Sequence, residues 1–314
     1  RTGVNIYIPP EIAVLDGDPT PFLAHMAMVI PDQGDRDILY DWMAHIIKFP
    51  GYKIPWAPVI QSAEGVGKGL FKELMTYAVG QPYVHFPNAQ ELGDSGGKFN
   101  GWMRNRIFIL ADEINVGDKV HMIEVLKPLI SERLIEVQAK GADQQMEDNT
   151  ACWGFFTNYK GAVPARKNGR RYAMFFSPFQ SESDLLAAGM DDAYFKRLFG
   201  WLNADGAAIM TKWLRDRPIE RGEIPMRAPK TTSWNEALSI GRSPVARTGG
   251  GAVQDGLAGF RGGGVSSIAA SNRCKALGVV SKAITPQTLG SVLADMGYIE
   301  AGRADRAWMQ EDHQ

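Results

Sequence analysis

The sequence has few cysteines, no long apolar run and no excess of charge of either sign. Only two cysteines, Cys152 and Cys274, occur in 314 residues, and neither has a metal-binding partner at a useful spacing. A disulfide framework is therefore excluded, which favours a reducing compartment, and we expect a cytoplasmic protein. No apolar stretch approaches the ~18 residues needed to cross a bilayer, so no contact with a membrane is expected.

The charges nearly cancel, since 34 Lys and Arg stand against 35 Asp and Glu and give a formal net charge of −1. A protein that coats DNA passively is usually more basic. A motor on nucleic acid needs positive charge only on the loops that face its substrate, so the balance weakens such a function slightly without excluding it. The first residue is Arg, not Met, and no signal peptide follows it, which suggests a fragment of a longer protein.

Hydrophobic spacing divides the chain into three predicted parts. Apolar residues recur at helical spacing between Asp35 and Phe49, and Pro50-Gly51 then ends the helix. We interpret the N-terminal helices as packing elements, with an oligomerisation collar as the alternative. Another helical pattern begins at Pro21. Farther on, short apolar strands alternate with helices, which is typical of an α/β domain with a mostly parallel sheet. The predicted strands are 56–60, 106–111, 134–137, 150–157 and 172–177, and a helix is predicted from Asp191 to Leu214. The predicted parts are an N-terminal helical subdomain (1–54), a core domain (55–217) and a C-terminal region (218–314). The C-terminal region contains a glycine-rich linker (243–264) and a small helical unit, which could be winged-helix-like.

A glycine-rich turn joins a predicted strand, Trp56 to Ile60, to a predicted helix. Glycines allow backbone conformations that point several N–H groups at a phosphate, and the start of the helix adds partial positive charge. A lysine at this position reaches the β- and γ-phosphates of a nucleotide. The turn therefore predicts a P-loop. Its expected nucleotide-binding residues are Glu64, Gly65, Val66, Gly67, Lys68, Gly69 and Leu70.

Two positions depart from the P-loop pattern. Ser62 stands where the first glycine is expected, and Gly69 stands where a Ser or Thr normally binds Mg²⁺. Because Gly69 has no side chain, either water fills that place or Asp112 carries more of the metal. The departure puts the geometry of magnesium in question, but not the binding of ATP.

Two acids follow a predicted buried strand, Arg106 to Ala111. Acids at the carboxyl end of a parallel strand lie where ligands bind in open α/β sheets. Asp112 can hold Mg²⁺ directly or through water, and Glu113 can polarise the attacking water. A merely solvated strand end would not favour two acids after five apolar residues. Together with the P-loop, the acids predict hydrolysis of ATP with Mg²⁺ as the cofactor.

These motifs resemble those of superfamily 3 helicases, and most closely the helicase portion of primase–helicase proteins from phages and plasmids. The resemblance covers roughly residues 5–180 and includes the Gly-X-Gly-Lys-Gly form of the loop and the lead-in from Trp42 to Pro50. It implies a P-loop core of the AAA+ type. It also implies ATP-driven translocation on single-stranded DNA during replication of a phage or mobile element, in the host cytoplasm. A homo-oligomeric ring, with six subunits expected, and an upstream primase or polymerase domain are further implications.

The resemblance assigns roles to four further residues. Asn158, at the end of a predicted strand, resembles the family's sensor, whose amide contacts the γ-phosphate or the attacking water. Arg170 and Arg171 resemble the arginine-finger segment, which acts on the neighbouring subunit's nucleotide; we favour Arg171 as the finger. Lys140, between two strand-like runs, is the expected tip of a hairpin that grips DNA. The simpler interpretations are a turn asparagine, an exposed basic turn and a solvated lysine.

Two other classes of function stay open. A P-loop kinase or another phosphotransferase would need no DNA stimulation and would carry several substrate-binding arginines in a helix-rich lid. A regulatory or structural protein that binds ATP without hydrolysis is the second class, and Gly69 is the best argument for it. Glu113 argues against that class, because it has little use without hydrolysis.

Overall fold

The computed structural model of the chain describes residues 7–88, 91–92, 100–112, 120–138, 143–163 and 165–241. The chain divides into two compact units, residues 1–237 and 238–314, and the second is described only over 238–241. The predicted glycine-rich linker and the C-terminal helical unit therefore lie outside the described residues. The boundaries predicted at 54/55 and 217/218 stay predictions.

Seven described strands form two sheets. Five of them make one parallel sheet in the order β2-β3-β6-β1-β7, and β4 pairs with β5 in an antiparallel hairpin. The α/β class with a central parallel sheet is thus confirmed. The strands are β1 (Ala57–Gln61), β2 (Val84–His85), β3 (Phe108–Ala111), β4 (Leu134–Val137), β5 (Gln145–Asp148), β6 (Cys152–Thr157) and β7 (Tyr172–Phe176).

The register of the parallel sheet defines two edges along the strand direction. Gln61, the last residue of β1, is level with Thr157 of β6 and with Phe176 of β7. We call this side, where the strands end, the carboxyl edge. At the other end, Ala57 of β1 is level with Tyr172 of β7, and we call that side the amino edge. Strand β6 lies between β1 and β3, so residues that follow these three strands meet at the carboxyl edge.

Eight described α-helices surround the sheet. The predicted helices near Pro21 and from Asp35 are both confirmed, and Asp32 caps the second by accepting a hydrogen bond from the Asp35 N–H at 2.8 Å. Among the described residues, no helix is both long and apolar enough to cross a membrane. The helices are α1 (Thr20–Val29), α2 (Gln33–Lys48), α3 (Lys68–Val79), α4 (Val120–Ser131), α5 (Glu182–Ala187), α6 (Asp192–Trp201), α7 (Ala207–Arg215) and α8 (Trp234–Gly241).

The long helix predicted from Asp191 to Leu214 is interrupted. A single wide π-helical turn, Leu202–Gly206, separates α6 from α7. A side chain at residue 206 would place its Cβ only 2.6 Å from the ring of Trp201, so the turn needs glycine there. Periodicity could not reveal the interruption, because both helices continue the same apolar spacing.

One hydrophobic core joins the N-terminal helices to the sheet. Trp42 of α2 is fully buried, and its ring meets that of Phe108 in β3 edge to face, with 5.9 Å between centroids. Helix α7 packs against both α2 and α3. Strands β1 and β6 are buried along their whole length, because they occupy inner positions of a sheet that is covered on both faces.

The β4–β5 hairpin is fixed to a neighbouring segment that ends at Arg104. The guanidinium of Arg104 forms an ion pair with Glu147 of β5, and the Asn100 side chain donates to the Glu136 carbonyl at 2.8 Å. The strand-like run predicted from Thr150 to Thr157 belongs instead to the central sheet, as β6. Spacing did not predict β5, because three of its four residues are polar and the strand is largely exposed.

The outer side of β7 is covered by the segment 228–233. The Ala228 N–H donates to the Arg170 carbonyl at 2.9 Å, and the Phe176 N–H donates to the Ser233 hydroxyl at the same distance. Asp35, a buried carboxylate of α2, accepts from the Thr232 hydroxyl at 2.6 Å. The segment therefore provides hydrogen-bond partners for backbone groups that an uncovered outermost strand would expose.

Candidate active site

The loop between β1 and α3 has the backbone that a phosphate cradle requires. Gly65 and Gly67 have φ angles of 84° and 89°, a left-handed conformation that residues with a side chain rarely adopt. Gly67 occupies the N-cap of α3, so Lys68 is the first residue of the helix. The start of α3, which carries the partial positive charge of the helix, therefore lies beside the Lys68 side chain.

The start of the loop is anchored to neighbouring strands. The Ser62 N–H donates to the Thr157 carbonyl of β6 at 3.2 Å, and the Ala63 N–H donates to the Phe179 carbonyl beyond β7 at 2.8 Å. Val66 is buried in the core, while its neighbours in the loop are partly or fully exposed. The loop is thus held by strands on both sides, while Gly65, Gly67 and Gly69 keep part of their surface exposed. Ser62, which departs from the P-loop pattern, is fully buried.

Lys68 and Asn158 meet directly at the carboxyl edge. The ammonium group of Lys68 donates a hydrogen bond to Oδ1 of Asn158, the residue that follows β6. The Asn158 backbone is held by Gln61, whose buried amide donates to the Asn158 carbonyl at 3.2 Å and to Oε1 of Gln180 at 2.9 Å. Two residues predicted from separate motifs, 90 positions apart, are therefore brought into contact.

Asp112 follows β3 at the same edge and faces a second lysine. Nζ of Lys72 lies 3.3 Å from Oδ2 of Asp112, and both side chains are about 30% exposed. Lys72 stands one helical turn after Lys68, so both cations project from one face of α3. One reaches the end of β6 and the other the end of β3. The prediction did not include Lys72, although its spacing of four residues from Lys68 was a usable signal.

One cavity of about 320 Å³ is lined by Lys68, Asp112 and Asn158. Phe195 and Phe199 of α6, which sequence reasoning did not assign to the site, also line it, and we call this pair the aromatic wall. The complete described lining is Glu64, Gly65, Gly67, Lys68, Gly69, Asp112, Asn158, Phe195 and Phe199.

A buried histidine connects the loop with the aromatic wall. Nδ1 of His25 lies 3.0 Å from the hydroxyl of Tyr194, and the imidazole is 2% exposed. Burial lowers the pKa of His25 to about 4, and a hydrogen bond with the Val66 backbone offsets this in part. The ring is therefore neutral at pH 7. A Cβ added to Gly67 would lie 3.1 Å from its Nε2, so His25 also restricts residue 67 to glycine.

Arg170 and Arg171 lie at the amino edge, away from the cavity. They directly precede β7, whose first residue is level with the first residue of β1. Gln61 lies four positions after Ala57 in β1, which is about 13 Å at the usual rise of a strand. The loop begins only after Gln61. Arg170 is exposed, whereas Nε of Arg171 donates to the Ser131 hydroxyl of α4 at 3.1 Å. The structure thus does not bring the arginine pair to this chain's own loop.

Two predicted site residues cannot be placed. Glu113 and Lys140 both lie outside the described residues. Glu113 directly follows Asp112, and Lys140 falls in the connection of the β4–β5 hairpin. Their roles stay predictions. Within the described ranges, no cluster of three or more His, Cys, Asp or Glu side chains could hold a metal ion by itself.

Comparison with known proteins identifies the fold but no activity. Residues 60–171 match the model of a family of unknown function, DUF5906, over about a third of the chain. The matched segment runs from the end of β1 through Lys68, Asp112 and Asn158 to the arginine pair. A search of curated protein sequences found no match.

Solved structures share the architecture at low sequence identity. The apo structure of the NrS-1 C-terminal region is 12% identical with a TM-score of 0.64, over 98% of this chain and 73% of that chain. Its A form gives a TM-score of 0.62 at the same identity, over 98% and 74%. A structure of JCV helicase with a bound small molecule is 10% identical over 76% of this chain and 65% of that chain. Its TM-score of 0.37 is too low to indicate a shared fold. The chain therefore has the fold of the NrS-1 C-terminal region.

Proposed function

We propose that the protein is an ATP-hydrolysing translocase of the superfamily 3 helicase type, which acts on DNA in the replication of a phage or mobile element. The observation that supports it most directly is the convergence of Lys68, Asp112 and Asn158 on one cavity, beside a loop whose glycines are left-handed. Three motifs predicted from separate parts of the sequence contribute to that cavity. Such an arrangement at the carboxyl edge of a parallel sheet suits a nucleoside triphosphate.

The proposed chemistry begins with a change of partner for Lys68. When phosphate oxygens enter the loop, the Lys68 ammonium leaves Oδ1 of Asn158 for the β- and γ-phosphates, where it meets full negative charge. The Asn158 amide is then available to the γ-phosphate or the attacking water. Glu113 polarises that water, as its position after Asp112 suggests. The negative charge that develops on the transferred phosphoryl group is stabilised by Lys68 and the loop N–H groups.

The residues present fit Mg²⁺ through a single carboxylate. Mg²⁺ commonly binds one or two carboxylates together with substrate phosphates and several waters, and it does not need a cage of protein ligands. Asp112 lines the cavity and would supply that carboxylate. Gly69 supplies no ligand, so water would take the place of the usual hydroxyl. When bound, the ion would neutralise negative charge on the phosphates.

The position of the arginine pair supports a ring of subunits. Arginine at the transferred phosphoryl group accelerates related reactions about 10³- to 10⁵-fold. Arg170 and Arg171 lie at the amino edge, so in this proposal they act on the cavity of a neighbouring subunit. The expected assembly is a closed homo-oligomer of six chains. Single-stranded DNA would pass along the hairpin tips, where Lys140 contacts its phosphates.

The decisive experiment measures ATP hydrolysis with and without single-stranded DNA. We expect magnesium-dependent hydrolysis that DNA stimulates, and we expect Lys68→Ala to abolish it and to weaken nucleotide binding. Lys230→Met, which removes an exposed lysine, serves as the matched control and should hydrolyse ATP normally. Near-normal turnover in folded Lys68→Ala protein would contradict the P-loop assignment.

The alternatives predict different results in the same assay. A phosphotransferase would hydrolyse ATP slowly and show no response to DNA. A protein that binds ATP without hydrolysing it, which the missing hydroxyl at Gly69 favours, would bind nucleotide tightly and release no phosphate. Glu113→Gln then separates binding from hydrolysis, because the amide keeps the shape but cannot act on water as a carboxylate does.

A further inference from the structure

We propose that Phe195 and Phe199 form a stacking subsite for the base of the nucleotide, which holds the base by its flat face and not by hydrogen bonds to its edge. The inference rests on the proposed function, since it takes the phosphates to lie on the loop at Lys68. The lining of the cavity motivates it, because it combines polar and charged side chains from the loop and the strand ends with these two phenyl rings from α6. A nucleoside triphosphate has the same division between its phosphates and its base.

The rings approach the phosphate loop at two successive points. A Cβ added to Gly67 would lie 3.1 Å from Cε1 of Phe195, and one added to Gly69 would lie 3.4 Å from Cζ of Phe199. Residues four apart on α6 share one face of the helix, so both rings turn toward the loop. Both are half-buried, which leaves part of each ring open to the cavity. A nucleotide with phosphates on this loop therefore has its base and ribose next to α6.

The aromatic wall is held in place before any ligand binds. Asp191 caps α6 by accepting from the Tyr194 N–H at 2.8 Å, and Leu198, one helical turn after Phe195, is buried. The Tyr194 hydroxyl is hydrogen bonded to the buried His25, and the rings of Tyr194 and Phe195 meet edge to face at 5.2 Å. Because little ordering remains to be done on binding, a base placed there keeps most of its stacking energy.

The chemistry of the wall determines what it can distinguish. Phenylalanine carries no hydrogen-bonding group, and every base has a π-face, so stacking tolerates different bases. The polar side chains of the described lining are Glu64, Lys68, Asp112 and Asn158, all of which belong to the loop or to the strand ends. We therefore expect ATP and GTP analogues to bind within about tenfold of each other.

The test compares a probe that has a base with one that lacks it. Isothermal titration calorimetry would measure AMPPNP, GMPPNP and inorganic tripolyphosphate against the full chain. Phe195→Ala and Phe199→Ala should weaken AMPPNP by about 5- to 100-fold. Tripolyphosphate, which has no base, should bind these variants as it binds the natural chain. Lys68→Ala should weaken both probes, and Tyr159→Ala, an exposed aromatic outside the described lining, should change neither.

The other outcomes of the titrations would overturn either the stacking subsite or the proposed function. Equal weakening of AMPPNP and tripolyphosphate would mean that the rings shape the loop, and unchanged AMPPNP binding would mean that they do not touch the base; either result overturns the subsite. If the alanine variants unfold, Phe199→Trp and Phe199→Leu decide, because only Trp keeps a flat ring and should retain AMPPNP. A preference of more than about 100-fold between the two analogues would overturn recognition by stacking alone. Failure of the natural chain to bind either AMPPNP or tripolyphosphate would instead refute the proposed function.

Discussion

The two edges of the parallel sheet use their basic residues in different ways. At the carboxyl edge, Lys68 and Lys72 are partly exposed and reach polar side chains that follow β6 and β3. Toward the amino edge, Lys53 is buried and donates to the carbonyls of Leu129 and Ala151 at 3.1 and 2.7 Å. Burial lowers the pKa of Lys53 to about 8.

The difference separates cations that can exchange partners from a cation that cannot. A lysine that rests on a side-chain amide or a carboxylate can move to an incoming phosphate at little cost. A lysine that satisfies two buried carbonyls would leave both unpaired if it moved, at about 1–3 kcal/mol for each. The environment of the ammonium group thus distinguishes lysines that can change partners from a lysine that supports the fold. The arginine pair is the exception, because it lies at the amino edge and is expected to serve a ligand.

The largest expected effect tests that exception. Arg171→Ala should leave ATP binding intact and reduce hydrolysis by about 10³-fold or more, because the arginine acts only on developing charge. Mixing this variant with Lys68→Ala protein should restore part of the activity, since some interfaces then combine an intact Lys68 with an intact Arg171. The measurement is the ATPase rate against mixing ratio, under conditions where subunits exchange.

Arg170→Ala is the matched control. We expect it to reduce ATP hydrolysis less than Arg171→Ala does, because the hydrogen bond to the Ser131 hydroxyl orients Arg171. No recovery at any ratio, with mixed assembly verified independently, would mean that the arginines act within one chain or not at all. The contrast between exchangeable cations at the carboxyl edge and structural cations near the amino edge would then have no exception.

The next effect concerns acid stability at the carboxyl edge. The unfolded chain protonates His25 near pH 6.5, whereas the folded chain does so only near pH 4. Since the unfolded state binds the proton first, stability falls as the pH falls from about 6.5 to 4, by at most about 3 kcal/mol. His25→Gln should remove that part of the pH dependence, as seen in the free energy of unfolding by urea at pH 7, 5.5 and 4. Parallel profiles for the two proteins would mean that His25 is not held neutral in the fold.

The smallest effect sharpens the comparison within the carboxyl edge. The Lys72 ammonium competes with a divalent cation for Asp112, so Lys72→Met should lower the half-saturating concentration of Mn²⁺ about two- to fivefold, as expected for a partly exposed ion pair. Electron paramagnetic resonance of bound Mn²⁺ measures this directly, without reference to turnover. Lys72→Arg keeps the charge and should behave like the natural chain. A higher half-saturating concentration in Lys72→Met would show that Lys72 supports the site.

Much of the fold followed from local pattern. Strands β1, β3, β6 and β7 were each predicted to within two residues, because buried strands of a parallel sheet form continuous apolar runs. The hairpin strand β5 was missed, since its polar residues carry no such run. The break between α6 and α7 was missed as well, because it depends on the Trp201 ring beside Gly206 and not on spacing.

Local pattern along the chain is enough to give the class of fold, the position of the loop and the chemistry of the residues that follow the strands. Those features depend on sequence neighbours: glycines where φ must be positive, a lysine at a helix start, acids and an amide after apolar runs. Long-range packing is needed to show that Lys72 faces Asp112, that Phe195 and Phe199 line the cavity, and that Arg171 lies at the opposite edge from Lys68. These relations join residues 40 or more positions apart, and the packing of helices on the sheet, not any local pattern, sets the distance between them.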